Sequence, residues 1–158
     1  AIEVEPMRLG HVAQAVVEME ARRLSTHVLE IELEPNIPLV LGEEVHVGQV
    51  IRNFLSNAVK YSAAGGRIRT VVAGASDGAT LTVLDDGPGF GSEDPQRLFE
   101  LFFRTSEATK VTSGAGIGLF VSRELVTAMG GRIWAKARPG EGAEFGFWLP
   151  GIDEAADD

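Results

Sequence analysis

Residues 47–62, VGQVIRNFLSNAVKYS, carry the pattern on which the reading of this chain turns. Val47, Val50, Ile51, Phe54, Leu55 and Ala58 recur at the spacing of a helix that lays one stripe on a core. Asn53 and Asn57 interrupt that helix, although asparagine suits a helix interior poorly because its short amide competes with the backbone for hydrogen bonds. At about 100° per residue, Asn53, Asn57 and Lys60 share a second face, with Tyr61 at its edge. One face packs, and the other offers amides, an ammonium and a phenol to something polar. Taken alone, the pattern fits a solvated face with two indifferent amides equally well.

Outward from that helix the chain alternates. PMRLGHVAQAVVEMEARRL predicts a first helix, with Leu9, Val12, Ala13, Val16 and Met19 on one side. HVLEIELE and, after Pro35, IPLVL predict two strands. Glu43 and Glu44 open the asparagine helix, where carboxylates suit the positive end of the helix dipole, and residues 63–66, AAGG, end it. RIRTVVAG and ATLTVLDD, split by Ser76-Asp77-Gly78, predict a hairpin. A third helix is expected from about Ile117 to Met129, stopped by Gly130-Gly131, and RIWAKAR and AEFGFWLP form a second hairpin. Helices gathered on one face of a mostly antiparallel sheet are the expected layering.

Composition narrows the possibilities. A chain of 158 residues with 44% hydrophobic content is one domain's worth, with enough apolar side chains for a core. No run of 18 apolar residues and no signal-peptide pattern is present. The absence of cysteine rules out disulfides and thiolate metal sites and fits a reducing cytosol. A net charge of −9 argues against a nucleic-acid partner, since no basic stripe is available to displace counterions. The terminal residues 151–158, GIDEAADD, carry four of the carboxylates and little to bury, so they are expected to be a disordered acidic tail on a domain spanning residues 1–150.

Four further segments follow the helix: TLTVLDDGPGF (80–90), LFELFFR (98–104), SGAGIGLFVSRELVTAMGG (113–131) and GEGAEFGFWLP (140–150). With N-x-x-x-N-A, in this order and over nearly the whole chain, they resemble the ATP-binding catalytic domain of sensor histidine kinases. That domain belongs to a superfamily shared with gyrase, the mismatch-repair ATPases and the heat-shock chaperone. The resemblance implies an α+β fold, a two-layer sandwich of three main helices on one face of a mixed, mostly antiparallel sheet. It also implies ATP and Mg²⁺ as ligands.

Each motif then has an implied task. Asp85, before Gly87 and Gly89, would accept a hydrogen bond from the exocyclic amine of adenine, while the glycines let the backbone approach the base. Asp86 is expected to face solvent. Gly114, Gly116 and Gly118 lie before and in the first turn of the third helix, where free N–H groups and the dipole suit phosphate, with Leu119 beside them. Neither a Rossmann fingerprint, which needs glycine at position 119, nor a P-loop Gly-Lys-Ser/Thr is present. Asn57 matches the metal-binding asparagine, an amide oxygen being a suitable ligand for Mg²⁺. Asn53 would reach phosphate or a metal-bound water, Lys60 would neutralise phosphate charge, and Tyr61 would lie against adenine or ribose. The stretch TSEATKVTS would form a lid, with Lys110 lending it charge or simply solvated; Phe99, Phe102 and Phe103 would anchor the lid and meet the partner domain, although Phe99 and Phe102 also read as core, and Arg104 would approach the γ-phosphate. Ala143 stands where the family usually has a threonine, which leaves Gly142 a packing role.

His11, His27 and His46 are each followed by valine, not by the acidic residue of a phosphoacceptor. The acceptor histidine is therefore expected on a dimerisation hairpin outside this chain, with a response regulator downstream, a homodimeric full-length protein and a cytoplasmic setting for this domain. A membrane anchor elsewhere in the full protein stays open. Two alternatives also stay open: a serine kinase of the anti-sigma-factor type or a hydrolysing ATPase of the superfamily, and a non-catalytic nucleotide-binding scaffold. The former place glutamate where Asn53 stands, and an amide cannot accept a proton at neutral pH.

Overall fold

The computed structural model describes residues 2–63, 65–87, 98–99, 117–138 and 142–152. In chain order the elements are β1 (Glu5–Met7), α1 (Leu9–Arg23), β2 (Val28–Leu33), β3 (Val40–Gly42), α2 (Glu44–Tyr61), β4 (Arg67–Ala75), β5 (Gly78–Asp85), α3 (Ile117–Ala128), β6 (Arg132–Arg138) and β7 (Gly142–Pro150). Five strands form one sheet in the order β2-β4-β5-β7-β6, and β1 pairs with β3 as a separate ribbon. The β2–β4 pair is parallel and the other three pairs are antiparallel, so the sheet is mixed and mostly antiparallel, as expected.

Alternation along the strands creates the two layers. Ile68, Thr70 and Val72 of β4, Ala79, Leu81 and Val83 of β5, and Phe145, Phe147 and Leu149 of β7 are buried. The stripe of α2 meets them: Val47, Val50, Ile51, Phe54, Leu55 and Ala58 have no exposed surface. Phe54 lies between Phe145 and Phe147, with ring centroids 5.8 and 6.0 Å away. On the opposite face Arg67 and Arg69 pair with Glu30 and Glu32 at 3.2 and 3.5 Å, exposed contacts that add little to stability. Trp134 covers Gly146 there, where an added Cβ would come within 2.5 Å of the indole.

Three expectations are corrected. The first helix starts at Leu9, because Glu5–Met7 instead pairs in register with Val40–Gly42, a three-residue strand too short to show a period in the sequence. Met19 is 58% exposed, and the buried face of α1 runs through Leu9, Ala13, Val16, Val17 and Glu20. Arg23 lets Glu20 occupy that stripe by holding its carboxylate at 2.6 Å. Tyr61, placed by its angle at the edge of the polar face, is buried against Phe145 at 6.3 Å, extending the apolar stripe by one more turn. At the C-terminal end, Gly151 still donates to the Asp77 carbonyl at 2.8 Å and bridges Val40; the acidic residues 153–158 lie outside the described residues.

Replacing Phe54 by alanine should lower unfolding free energy by about 3–5 kcal/mol, as for other fully buried aromatic side chains. Met19→Gln should stay within about 0.5 kcal/mol of the parent. Urea denaturation midpoints compare the two, and a Met19 effect as large as that of Phe54 would overturn the assigned face of α1.

Candidate nucleotide-binding site

The polar face of α2 is built by the burial of the other one. With Phe54, Leu55 and Ala58 against the sheet, Asn53 and Asn57 are left half-buried and Lys60 exposed. The amide nitrogen of Asn53 donates to the Gly118 carbonyl and to the Ser122 hydroxyl, each at 3.0 Å, which ties α2 to the first turns of α3. Ser122 Oγ also donates to the Gly118 carbonyl at 2.9 Å. One turn along α2, Asn57 Nδ2 donates to the Asn53 carbonyl at 2.8 Å. In both side chains the nitrogen is hydrogen-bonded within the protein, and none of these bonds uses the amide oxygen. Such oxygens suit a hard cation, and a single amide leaves most of its octahedron to water and phosphate.

Asp85 closes β5 with 2% of its surface exposed. Its Oδ1 accepts from Gly87 N at 2.8 Å, the local turn expected of Asp before glycine, and from Ala143 N at 3.2 Å on β7. Two backbone donors thus fix the carboxylate between neighbouring strands. Close backbone approach makes this possible. A Cβ on Gly87 would lie 2.4 Å from the Tyr61 carbonyl and 2.6 Å from Ser62 Cα. A Cβ on Gly142, whose φ is +102°, would lie 2.2 Å from the Asp85 carbonyl. The end of α2, the end of β5 and the start of β7 therefore meet where only bare backbone fits. From Asn53 to Tyr61, α2 spans about 12 Å, at 1.5 Å rise per residue.

The structure thus brings Asn53, Asn57 and Gly118 together at one end and Asp85, Gly87 and the Tyr61 backbone at the other. The Tyr61 ring turns into the core, and Leu119 is 4% exposed within the same cluster. Asp86 is exposed, as expected, and Phe99 is buried in the core. Gly89, Phe102, Phe103, Arg104, Lys110, Gly114 and Gly116 lie outside the described residues. Among the described residues no group of three His, Cys, Asp or Glu side chains converges on a point, and no helix is long and apolar enough to cross a membrane.

Two contributions go unannounced in the sequence: the Ser122 hydroxyl and the Ala143 backbone N–H. Ser122 is fully buried in the α3 stripe of Leu119, Val126 and Met129, and its one signal was a polar residue at an apolar position. Ala143 lacks the expected hydroxyl but contributes its backbone N–H to Asp85. Gly142 does pack, as expected, and its positive φ adds a conformational need that the sequence does not announce.

Residues 42–152 match the family described as histidine kinase-, DNA gyrase B-, and HSP90-like ATPases. The adaptive-response sensory kinase SasA of Parasynechococcus marenigrum (strain WH8102) is 36% identical over 140 residues, covering 87% of this chain and 37% of that protein. The chain thus spans little more than a third of the length of such relatives. Among solved structures, the mycobacterial sensor histidine kinase MprB superposes with a TM-score of 0.75 at 29% identity, over 96% of this chain and 98% of that one. Full-length ShkA in complex with AMPPNP gives 0.79 at 27% identity, over 97% of this chain and 33% of that one. The chain belongs to the histidine kinase-, DNA gyrase B- and HSP90-like ATPase family, on the branch of the ATP-binding catalytic domains of sensor histidine kinases.

Proposed function

We propose that the chain binds Mg·ATP along the α2 groove and presents the γ-phosphate to a histidine on a separate helical hairpin, which then passes it to a response regulator. The observation that carries this reading is Asp85, a buried carboxylate held by two backbone donors at the end of β5. Such a group is costly in an apolar surrounding and is suited to a ligand that brings a donor, as the exocyclic amine of adenine does. The AMPPNP complex of the similar protein ShkA supports a nucleotide in this fold.

In this reading Asp85 and Gly87, with Gly89, hold the base. Tyr61 contributes backbone and wall, with its ring in the core, and Leu119 supports the floor from below. Asn57 would hold Mg²⁺, which would supply charge to neutralise the phosphates. Lys60 and Arg104 add positive charge, and Gly114, Gly116 and Gly118 offer backbone to phosphate. Phosphoryl transfer is mainly positioning and charge stabilisation, so the domain works by holding the donor with its γ-phosphate accessible. Asn53 has no basic atom with which to activate water, which disfavours the hydrolysing and serine-kinase alternatives. The binding domain is assigned to residues 1–150 and to a cytoplasmic setting, with dimerisation supplied by the partner hairpin region.

Asp85→Asn keeps the shape but replaces a charged acceptor with an amide. Nucleotide affinity should fall by about 1–3 kcal/mol while the melting temperature hardly moves. Calorimetric titration with ADP checks this, and undiminished binding would remove Asp85 from the adenine site.

With radiolabelled ATP, the chain alone should label none of His11, His27 or His46 and should hydrolyse ATP very slowly. Adding the cognate hairpin in trans should yield an acid-labile, base-stable phosphate on the hairpin. Asn57→Ala should abolish that label without unfolding the domain. Rapid turnover by the lone domain would instead promote the hydrolysing-ATPase reading.

A further inference from the structure

The strand β5 has Asp85 at one end and Gly78 at the other, about 22–24 Å away at the usual rise of an extended chain. Beside Gly78 lies an open cavity of about 880 Å³, a volume within the range of ligand sites. Pro38, Leu39, Trp148, Pro150 and Ile152 give it apolar walls. Asp77 is the one ionisable side chain among the described residues that line it. The backbone under that carboxylate is fixed. Asp77 has a φ of +60°, and its carbonyl accepts from Gly151 N at 2.8 Å, while Gly151 bridges to Val40. A Cβ on the neighbouring Gly78 would run into the Leu149 carbonyl, so the turn cannot shift to admit one. Trp148 is anchored as well: its indole N–H donates to the Ser76 carbonyl at 3.2 Å, which leaves the ring as its contribution to the cavity. Arg132 lies over that ring, 4.6 Å from the centroid, and among the described residues no cation pairs with Asp77.

These parts define their complement. A cationic head answers the unpaired carboxylate, and an alkyl stem answers the prolines and the indole. A guanidinium suits the site better than an ammonium, because it is planar, weakly hydrated and stacks on aromatic faces. The net charge of −9 draws such a group from a distance. Pro38 and Ile152 are exposed and carry apolar surface past the mouth of the cavity. A small free cation would leave that surface bare, whereas the residues flanking an arginine in a chain would cover it. We propose that this cavity docks an arginine side chain presented by a partner protein, at the end of the sheet away from Asp85.

The probe is the peptide acetyl-Leu-Arg-Leu-amide, titrated into this chain and followed by backbone NMR shifts. Binding should saturate, with the largest shifts at Asp77, Gly78, Trp148 and Gly151 and none at Asn53 or Asn57. Asp77→Asn keeps the turn, since asparagine tolerates a positive φ, and should weaken binding about fivefold. Glu18→Gln removes one exposed charge from α1 and should change affinity by less than about twofold. A peptide with citrulline, the uncharged analogue of arginine, should not bind. Equal losses in Asp77→Asn and Glu18→Gln would reduce the effect to net charge and overturn the proposal. Undiminished binding of the citrulline peptide, or shifts centred elsewhere, would do the same. Agmatine, a guanidinium on an alkyl stem without flanking residues, should bind more weakly than the peptide; equal affinity would make the cavity a small-cation site and overturn the docking of a partner chain. Each outcome reads the same whether or not the chain binds Mg·ATP.

Discussion

Phe54 sits between Phe145 and Phe147, and this contact sets how α2 is rotated on the sheet. A helix has two faces at fixed angles, so seating one determines the other. With Phe54, Leu55 and Ala58 down, Asn53 and Asn57 are left half-buried on the other face. A small rotation of α2 would exchange amides for valines there. The core interior, formed by aromatic side chains from β7, is therefore also what aims the polar side chains, and stability and binding geometry share one cause.

The surroundings of Asp85 depend on what is missing from the chain: side chains at Gly87 and Gly142. Asp85 is held by N–H groups on its own turn and on β7, and those groups come close because no Cβ separates the strands. A backbone cradle of this kind has little freedom to relax, so the carboxylate is preorganised before any ligand arrives. At the Asn53 end of α2 the same economy is reached differently. There, Asn53 joins α2 to α3 through Gly118 and Ser122, so the two helices that would flank a triphosphate are coupled by side-chain hydrogen bonds.

Much of this was legible in the residues, for identifiable reasons. The α2 stripe, the two hairpins and the glycine stop after α3 follow from local periodicity and turn chemistry, and they appear where expected. Asp85 was marked by its strand-end position before glycines. What escaped was set by tertiary contacts. β1 exists because β3 lies beside it, and Met19 and Glu20 exchange roles because Arg23 neutralises a carboxylate that periodicity alone would place outside. Tyr61 reads as polar by its phenol and as apolar by its position; the position wins. Ser122 and the Ala143 N–H act through atoms that no motif specifies, and only the juxtaposition of β5 with β7 and of α2 with α3 makes them visible.

If the α2 face selects nucleotide through a metal ion, as proposed, a requirement for Mg²⁺ is what sets it apart. Calorimetric titration of this chain with ATP, once in excess Mg²⁺ and once in EDTA, tests it most directly. Binding should be at least about tenfold tighter with metal, the equivalent of roughly 1.4 kcal/mol. Equal affinity in the two conditions, or tighter binding in EDTA, would contradict it.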